Sequence, residues 1–178
     1  MGRSHERSLL IDANVLIDLC EADRTVIRLI SQHVGQVLVP LPVLREEVDQ
    51  IDEAECPDLG IVLIEPSLQT AAEAATRRGG LSFHDHLCLL LARDKGAACV
   101  TNDRRLRREC AAENVPVRWG LETVALLVDV GALTPEAAEE IGDAVQQASS
   151  QFITDPVIER FHARIGLKTT RKLGRRPR

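Results

Sequence analysis

The chain has 178 residues, a length typical of one domain with an appended element rather than of two domains. Apolar residues make up 44% of it and aromatic residues only 2%, so Leu, Val, Ile and Ala must build the core, and base stacking on aromatic platforms is disfavoured. The net charge is −5, but residues 168–178 carry six basic side chains and no acid, so an acidic body precedes a basic tail.

The cysteines and the apolar segments exclude several classes of protein. Five cysteines are an odd number and none forms a C-x-x-C pair, which disfavours a disulfide framework and a structural zinc site. Cys20, Cys88, Cys99 and Cys110 lie in apolar segments and are expected to be buried thiols in a reducing compartment. The N-terminal MGRSHERS lacks the apolar region of a signal peptide, and no apolar run approaches the length of a membrane span. The sequence therefore predicts a cytoplasmic protein without membrane contact.

Strands are predicted to alternate with helices along the chain. Apolar segments predict five strands, at 9–11, 37–39, 61–64, 98–101 and around 117. Helical spacing predicts helices at 15–31, 42–51, 67–78, 82–95, 103–114 and 120–130, and two more that begin near 134 and 154. The predicted fold class is α/β, a parallel β-sheet sandwiched between helices, with extra C-terminal helices. Residues 1–130 would form the α/β domain, 131–167 a helical extension and 168–178 a flexible basic tail.

Four acidic residues are predicted to lie at one edge of this sheet. Asp12 directly follows the first strand, Asp103 directly follows the fourth, and Glu46 lies in the helix after the second. Asp85 lies in the first turn of a helix that leads through a tight connection at Gly96 into the fourth strand. That helix must run antiparallel to the strand, which brings Asp85 to the strand's carboxyl end. Ligands of parallel sheets bind at this edge.

Each acid also has a purely structural interpretation. Asp12 and Asp103 each suit the N-cap of a following helix, Asp85 suits a capping box with Ser82, and Glu46 suits a solvated helix surface. A metal site accounts for all four acids together. Mg²⁺ or Mn²⁺ takes oxygen ligands, keeps several waters and can activate a water for phosphodiester hydrolysis. Clustered carboxylates repel one another, which is tolerable where a cation is bound.

Four segments of the sequence contain or adjoin these acids: LIDANVLI at 10–17, VP at 39–40 through VLRE at 43–46, LSFHD at 81–85 and VTND at 100–103. These segments resemble the PIN-domain family, which includes VapC-type toxin ribonucleases. They occur in the family's order within about residues 8–128. The resemblance implies that residues 1–130 form a PIN-like nuclease domain that cuts RNA with Mg²⁺ or Mn²⁺. It also implies an antitoxin protein as a partner, and we expect a homodimer.

Carried over to this chain, the resemblance assigns the site residues. Asp12, Asp85 and Asp103 would bind metal, and Glu46 would bind metal or orient the attacking water. Thr101 would support the site through its hydroxyl group, and Asn14 is a candidate for the same role. These assignments describe a catalytic centre made of carboxylates with a neighbouring hydroxyl.

Two features beside these residues leave alternatives open. Glu47 adjoins Glu46 and is the alternative second acid, although its spacing from the preceding segment fits the family less well. His84 and His86 flank Asp85 and do not belong to the family's pattern. We expect surface histidines, with a role beside the substrate as the alternative.

A basic helix face is the predicted RNA contact. Arg104, Arg107 and Arg108 share one face at i, i+3 and i+4, and guanidinium groups suit phosphates. Pairing with neighbouring acids such as Glu109 is the alternative interpretation. The basic tail at 168–178 is a second candidate phosphate contact, or else a solubilising end.

Other classes of protein fit the residues less well. A haloacid-dehalogenase-like phosphatase would need an acid where Asn14 stands. A receiver domain would need a lysine after a late strand, and the only lysine before the tail is Lys95 on a predicted helix. The stronger alternative is a catalytically silent PIN-like module that binds protein or RNA, with residues 134–149 as a partner surface. Metal binding and nuclease activity would separate the enzyme from the module.

Overall fold

The computed structural model describes residues 8–77 and 79–166, which form five strands and nine helices. The strands are β1 (Ser8–Ile11), β2 (Gln36–Pro40), β3 (Ile61–Ile64), β4 (Ala98–Val100) and β5 (Val117–Arg118). The helices are α1 (Ala13–Asp23), α2 (Thr25–His33), α3 (Leu41–Glu47), α4 (Leu68–Thr76), α5 (Phe83–Lys95), α6 (Arg104–Ala112), α7 (Gly120–Asp129), α8 (Pro135–Ala148) and α9 (Asp155–Arg164). The predicted basic tail lies outside the described residues.

All five strands belong to one parallel sheet in the order β3-β2-β1-β4-β5. The predicted α/β class with a parallel sheet is confirmed. Strands β1, β2 and β4 are buried along nearly their whole length. Burial on both faces explains why their sequences are continuous apolar runs and do not alternate with polar residues. The strand order reverses between β1 and β4, so the chain leaves β1 towards one side of the sheet and later returns to the other.

The helices form two groups around the sheet. Helices α1, α2, α7, α8 and α9 contact one another, and α4, α5 and α6 form a second series of contacts. Helix α2 packs on β2 and β3, and α5 packs on β1, β2 and β4. The helices α8 and α9 rest on α1 and α7 and add residues such as Ile141, Val145 and Phe161 to the same hydrophobic core. The C-terminal helices therefore share their core with the sheet.

Helices α8 and α9 approach each other closely at Gly142. A Cβ atom at this position would collide with the ring of Phe161 on α9. Gly142→Ala is therefore expected to destabilise the protein by about 1–3 kcal/mol, the usual range for overpacking a core. Urea unfolding would measure this loss, with exposed Gln147→Ala on the same helix as a near-neutral control. A single transition with a lower midpoint is expected; an unchanged midpoint would contradict the tight α8–α9 packing.

Two predicted helices end earlier than expected. The helix predicted at 15–31 is broken at Arg24, because the Asp23 carboxylate accepts hydrogen bonds from the backbone N–H of Thr25 at 2.9 Å and from its hydroxyl at 2.7 Å. The helix predicted to reach Ile51 ends at Glu47 because Val48 adopts an extended conformation, which suits a β-branched residue. Val48 and Ile51 are both buried beyond that helix end.

Four of the cysteines were expected to be buried thiols, and no segment was expected to span a membrane. All five cysteines are free, buried thiols, as expected for four of them. Within residues 8–77 and 79–166, no helix is both long and apolar enough to span a bilayer.

Candidate functional site

The candidate site lies where the strand order reverses, at the carboxyl ends of β1 and β4. Asp12 directly follows β1, and its backbone N–H donates to the carbonyl of Val100 at 3.1 Å. Thr101 directly follows β4 and is fully buried. A reversal of strand order opens a crevice between the connections that leave in opposite directions.

A cleft of about 410 Å³ lies at this edge of the sheet. Three helices supply its lining: Asp12, Ala13, Asn14 and Ile17 from the start of α1, Glu47 from the end of α3, and Ser82, His84, Asp85 and Cys88 from the start of α5. Three carboxylates, those of Asp12, Glu47 and Asp85, thus surround one cleft. Of the four predicted acids, Asp12 and Asp85 line it. Glu46 and Asp103 do not belong to the lining that the described residues form.

The Asp12 carboxylate is held by one of its two oxygens. Oδ1 accepts a hydrogen bond from the backbone N–H of Val15 at 2.9 Å, so the predicted N-cap is present. Oδ2 is buried and has no hydrogen-bond partner among the described residues. Only 3% of the residue is exposed. A buried carboxylate oxygen without a donor is costly, and such atoms in native proteins call for an explanation.

Burial has the largest effect on the pKa of Asp12. Desolvation raises the pKa of this carboxyl from its ordinary value of 3.8 to about 7. The hydroxyl of Thr101 and the N–H of Val15 act in the opposite direction, and the negative charges of Asp85 and Asp18 raise the pKa further. A divalent cation in the cleft would favour the ionised form and reverse this shift.

Asp85 is fixed by the start of helix α5. Its Oδ2 accepts from the backbone N–H of Ser82 at 3.1 Å, and its own N–H donates to the Ser82 hydroxyl at 3.0 Å. The predicted capping box is therefore confirmed. The helix ends at Gly96, whose positive φ of 61° allows the tight turn into β4. This connection places Asp85 at the carboxyl edge of the sheet, as the sequence predicts.

Of the two histidines that flank Asp85, His86 is not a surface residue, so that expectation is wrong for it. His86 is buried, because α5 packs against both the sheet and neighbouring helices. The His84 side chain is only 16% exposed, and its two ring nitrogens lie 3.0 Å from Glu46 Oε2 and 3.1 Å from Glu47 Oε1. His84 thus lies between the two glutamates at the end of α3, and the alternative of a role beside the substrate stays a prediction.

Asp103 and Thr101 form a compact unit at the end of β4. Oδ1 of Asp103 accepts from the backbone N–H groups of Arg105 and Leu106, both at 2.8 Å, so Asp103 is the N-cap of α6. The backbone N–H of Asp103 donates to the Thr101 hydroxyl at 3.0 Å. Thr101 therefore accepts a hydrogen bond from Asp103, and its hydroxyl lies near enough to Asp12 to lower the pKa of that carboxyl without completing a hydrogen bond to Oδ2.

The three arginines of the predicted basic face of α6 differ in their exposure. Arg104 and Arg108 are exposed, and Arg108 pairs with its neighbour Glu109 at 3.3 Å. Arg107 instead turns inward: its guanidinium lies 4.0 Å above the Trp119 ring and donates to the carbonyl of Thr101 at 3.1 Å. Burial lowers the pKa of Arg107. The expectation that Arg107 shares an exposed phosphate-binding face is wrong, because Trp119 and the end of β4 hold its side chain.

Sequence reasoning missed a buried polar network beside the site. Asn102 accepts from the backbone N–H of Gly120 at 3.0 Å and donates to Asp18 at 3.4 Å. The Ser149 hydroxyl, at the end of α8, donates to the other oxygen of Asp18. Desolvation raises the pKa of Asp18, and the hydrogen bonds from Ser149 and Asn102 oppose this shift. The sequence signal that could have revealed this network is Asp18 itself, a carboxylate between two apolar neighbours in the apolar stripe of α1.

The arrangement of ligands can be tested against the cation that the acids suggest. Within the described part of the chain, no three His, Cys, Asp or Glu side chains stand together as a preformed metal cage. Mg²⁺ does not require one, because it binds through one or two carboxylates and keeps several of its waters. Asp12 and Asp85 on one cleft, with the unpartnered Oδ2 of Asp12, fit such an ion.

Comparison of the chain with protein-family models, with curated proteins and with solved structures finds no match. The class of protein must therefore be inferred from the fold and the cleft themselves.

Proposed function

We propose that this protein is a metal-dependent ribonuclease of the PIN-domain type, which hydrolyses RNA phosphodiester bonds with Mg²⁺ or Mn²⁺. The observation that carries the proposal is the Asp12 carboxylate, which lines a cleft with two other acids and keeps one buried oxygen without a donor among the described residues. An N-cap alone needs one oxygen at the helix end and gives no reason to bury the other. A bound cation would supply the missing partner.

In this proposal the residues around the cleft have different roles. Asp12 and Asp85 would hold the ion together with a glutamate from the last turn of α3, and Thr101 and Asp103 would support them from the end of β4. When bound, the ion would supply Lewis acidity that activates water and neutralises charge on the leaving oxygen. Asn14 is exposed at the mouth of the cleft, where a substrate would approach.

The experiment that tests the proposal is cleavage of total cellular RNA by the purified protein. Activity should be present with Mn²⁺ or Mg²⁺ and absent with EDTA or with Ca²⁺, whose larger and looser coordination shell positions water poorly. Asp12→Asn is the control for contaminating nucleases. If calorimetry detects no metal binding and no RNA is cut, the protein is instead a catalytically silent binding module, in which the acids serve as helix caps.

The cellular setting follows from the same proposal. A ribonuclease of this type would act in the cytoplasm, as the toxin of a toxin–antitoxin pair held in check by an antitoxin protein. The homodimer is part of the proposal too. Size-exclusion chromatography with light scattering, and copurification of a small partner from the native host, would test these partners directly.

RNA phosphates are proposed to contact Arg104 and Arg108 on the exposed part of α6. Replacing both with Gln should weaken RNA binding for every sequence, because phosphate contacts carry no base information. The log–log salt slope should become shallower by roughly 0.7 for each lost contact to single-stranded RNA. Fluorescence anisotropy at several salt concentrations measures this, with exposed Arg28→Gln on α2 as the matched control. A slope equal to that of the control would assign both arginines to surface solubility.

A further inference from the structure

Helix α3 ends in two adjacent glutamates that differ in their surroundings. Successive residues of a helix point about 100° apart, so the two side chains must diverge. Glu47 follows the buried Leu44 by three positions and Val43 by four, and it lies on the side of the helix that borders the cleft. Its side chain is 34% exposed and lines the cleft, whereas that of Glu46 is 62% exposed and lies outside it.

His84 contacts both glutamates through opposite sides of one rigid ring. Nδ1 lies 3.1 Å from Glu47 Oε1, and Nε2 lies 3.0 Å from Glu46 Oε2. The ring of Phe83 packs edge-on against the imidazole, with centroids 5.3 Å apart, and helps to orient it. Because the two nitrogens are separated by the ring, the carboxylates they contact are kept apart.

We propose that Glu47 is the glutamate of the metal centre and that His84 is the positioning residue that separates it from Glu46. This inference rests on the proposed function, in which the cleft holds a divalent cation. Carboxylates that bind metals are themselves usually held by hydrogen-bonding partners, and losing such a partner costs about 10–100-fold in metal affinity. His84 would give Glu47 this support through the 3.1 Å ion-pair contact of Nδ1, while the hydrogen bond between its Nε2 and Glu46 holds that glutamate outside the cleft.

Two substitutions at position 84 separate the two contacts. An Asn amide can place its N–H₂ group near the position of Nδ1, which faces Glu47, and a Gln amide can place it near Nε2, which faces Glu46. His84→Asn should therefore keep Mn²⁺ affinity within about 3-fold, whereas His84→Gln and His84→Ala should each lower it by about 10-fold or more. Calorimetric Mn²⁺ titration measures this without any activity assay. Equal affinities for the Asn and Gln variants would overturn the assignment.

The glutamates themselves provide the second arm of the experiment. Glu47→Gln should lower Mn²⁺ affinity by about 10-fold or more, and Glu46→Gln by much less. In a His84→Ala background the difference between the two glutamates should shrink, because the ring that separates them is gone. A larger loss for Glu46→Gln, or a difference that survives in that background, would overturn the inference.

Two further measurements, the thermal stability of the His84 variants and Mn²⁺ binding by the wild-type protein, distinguish the ways in which the inference can fail. Thermal unfolding in EDTA should be nearly the same for the three His84 variants, so a shared loss of stability with equal affinities would assign His84 a structural role and contradict the inference. A wild-type protein that binds no Mn²⁺ would refute the proposed function and this inference with it. A wild-type protein that binds Mn²⁺, with variants that bind it equally well, would refute the inference alone.

Discussion

Asp12→Asn is expected to abolish Mn²⁺ binding and, at the same time, to stabilise the metal-free protein at neutral and alkaline pH. Asn caps helices about as well as Asp, so the hydrogen bond from Val15 to the side-chain oxygen should be kept. The substitution removes the charge from a buried group whose second oxygen has no partner among the described residues. Loss of metal binding with a gain in stability is the combination that separates a functional carboxylate from a structural one.

The gain in stability should depend on pH with a definite sign. The pKa of Asp12 is raised to about 7 in the folded protein from an ordinary value of 3.8. Between these values the unfolded chain has released a proton that the folded protein still holds, so wild-type stability falls as pH rises from about 4 to 7. The complete difference corresponds to roughly 4 kcal/mol at about 1.36 kcal/mol per pKa unit, and it persists above pH 7. Asn at position 12 carries no such penalty.

Urea unfolding of both proteins in EDTA at pH 4, 6 and 8 measures this difference. The free energy of unfolding of Asp12→Asn should exceed that of the wild type by an amount that grows with pH. Saturating Mn²⁺ at pH 8 should stabilise the wild type and leave the variant unchanged, because in the proposed function only the wild type would bind the ion. A stability difference that is constant across the pH range would contradict a buried, ionising Asp12.

The same titration predicts how metal binding depends on pH. A cation must bind the ionised carboxylate, so Mn²⁺ bound as proposed would displace a proton from Asp12 wherever the metal-free protein holds one. Apparent Mn²⁺ affinity should therefore rise as pH increases from 6 to 8 and level off above the raised pKa. Calorimetry in buffers of different ionisation enthalpy would detect the released proton below pH 7.

Local sequence signals predicted most of the fold. The apolar runs that became strands are short and separated by Gly and Pro residues, and each is followed by a helical pattern, so a parallel sheet was the consistent solution. The convergence of Asp12 and Asp85 followed from topology alone. Asp12 ends a strand, and the Gly96 turn forces the helix that carries Asp85 to run antiparallel to β4.

The remaining features depend on contacts between distant parts of the chain. Spacing favoured Glu46 over Glu47, whereas the side of α3 that borders the cleft depends on how that helix packs. The inward turn of Arg107 required Trp119 to lie beneath it, on a segment beyond β5. Asp18 finds its partner Ser149 at a separation of 131 residues, which no local pattern encodes. For Glu47 and Arg107 the sequence identified the side chain and tertiary packing determined its direction, whereas the pair of Asp18 and Ser149 was not identified from the sequence.

Substitutions at Asp103 are also expected to have a large effect on RNA cleavage. Two of them separate the capping role of Asp103 from its proposed functional role. Its Oδ1 accepts two backbone N–H groups at the start of α6, and either Asp or Asn can do this. Asp103→Asn should therefore preserve the free energy of unfolding while removing a negative charge from the end of β4. Asp103→Ala should lose the cap as well, at a cost of about 1 kcal/mol.

RNA cleavage should fall by about 100-fold or more in both Asp103 variants if the carboxylate acts on the metal centre through its negative charge at the end of β4, the upper range for groups that act on a metal site from its surroundings. Thr134→Ala is the matched control, because Thr134 caps α8 away from the cleft, through a 3.2 Å hydrogen bond from the backbone N–H of Ala137. It should lose similar stability and keep full activity. If instead Asp103→Asn cleaves RNA at the wild-type rate, Asp103 is an N-cap alone, and the proposed centre contains only the acids that line the cleft. Cleavage lost in Asp103→Ala but kept in Asp103→Asn would show that the start of α6 must be ordered for activity and that its charge is not needed.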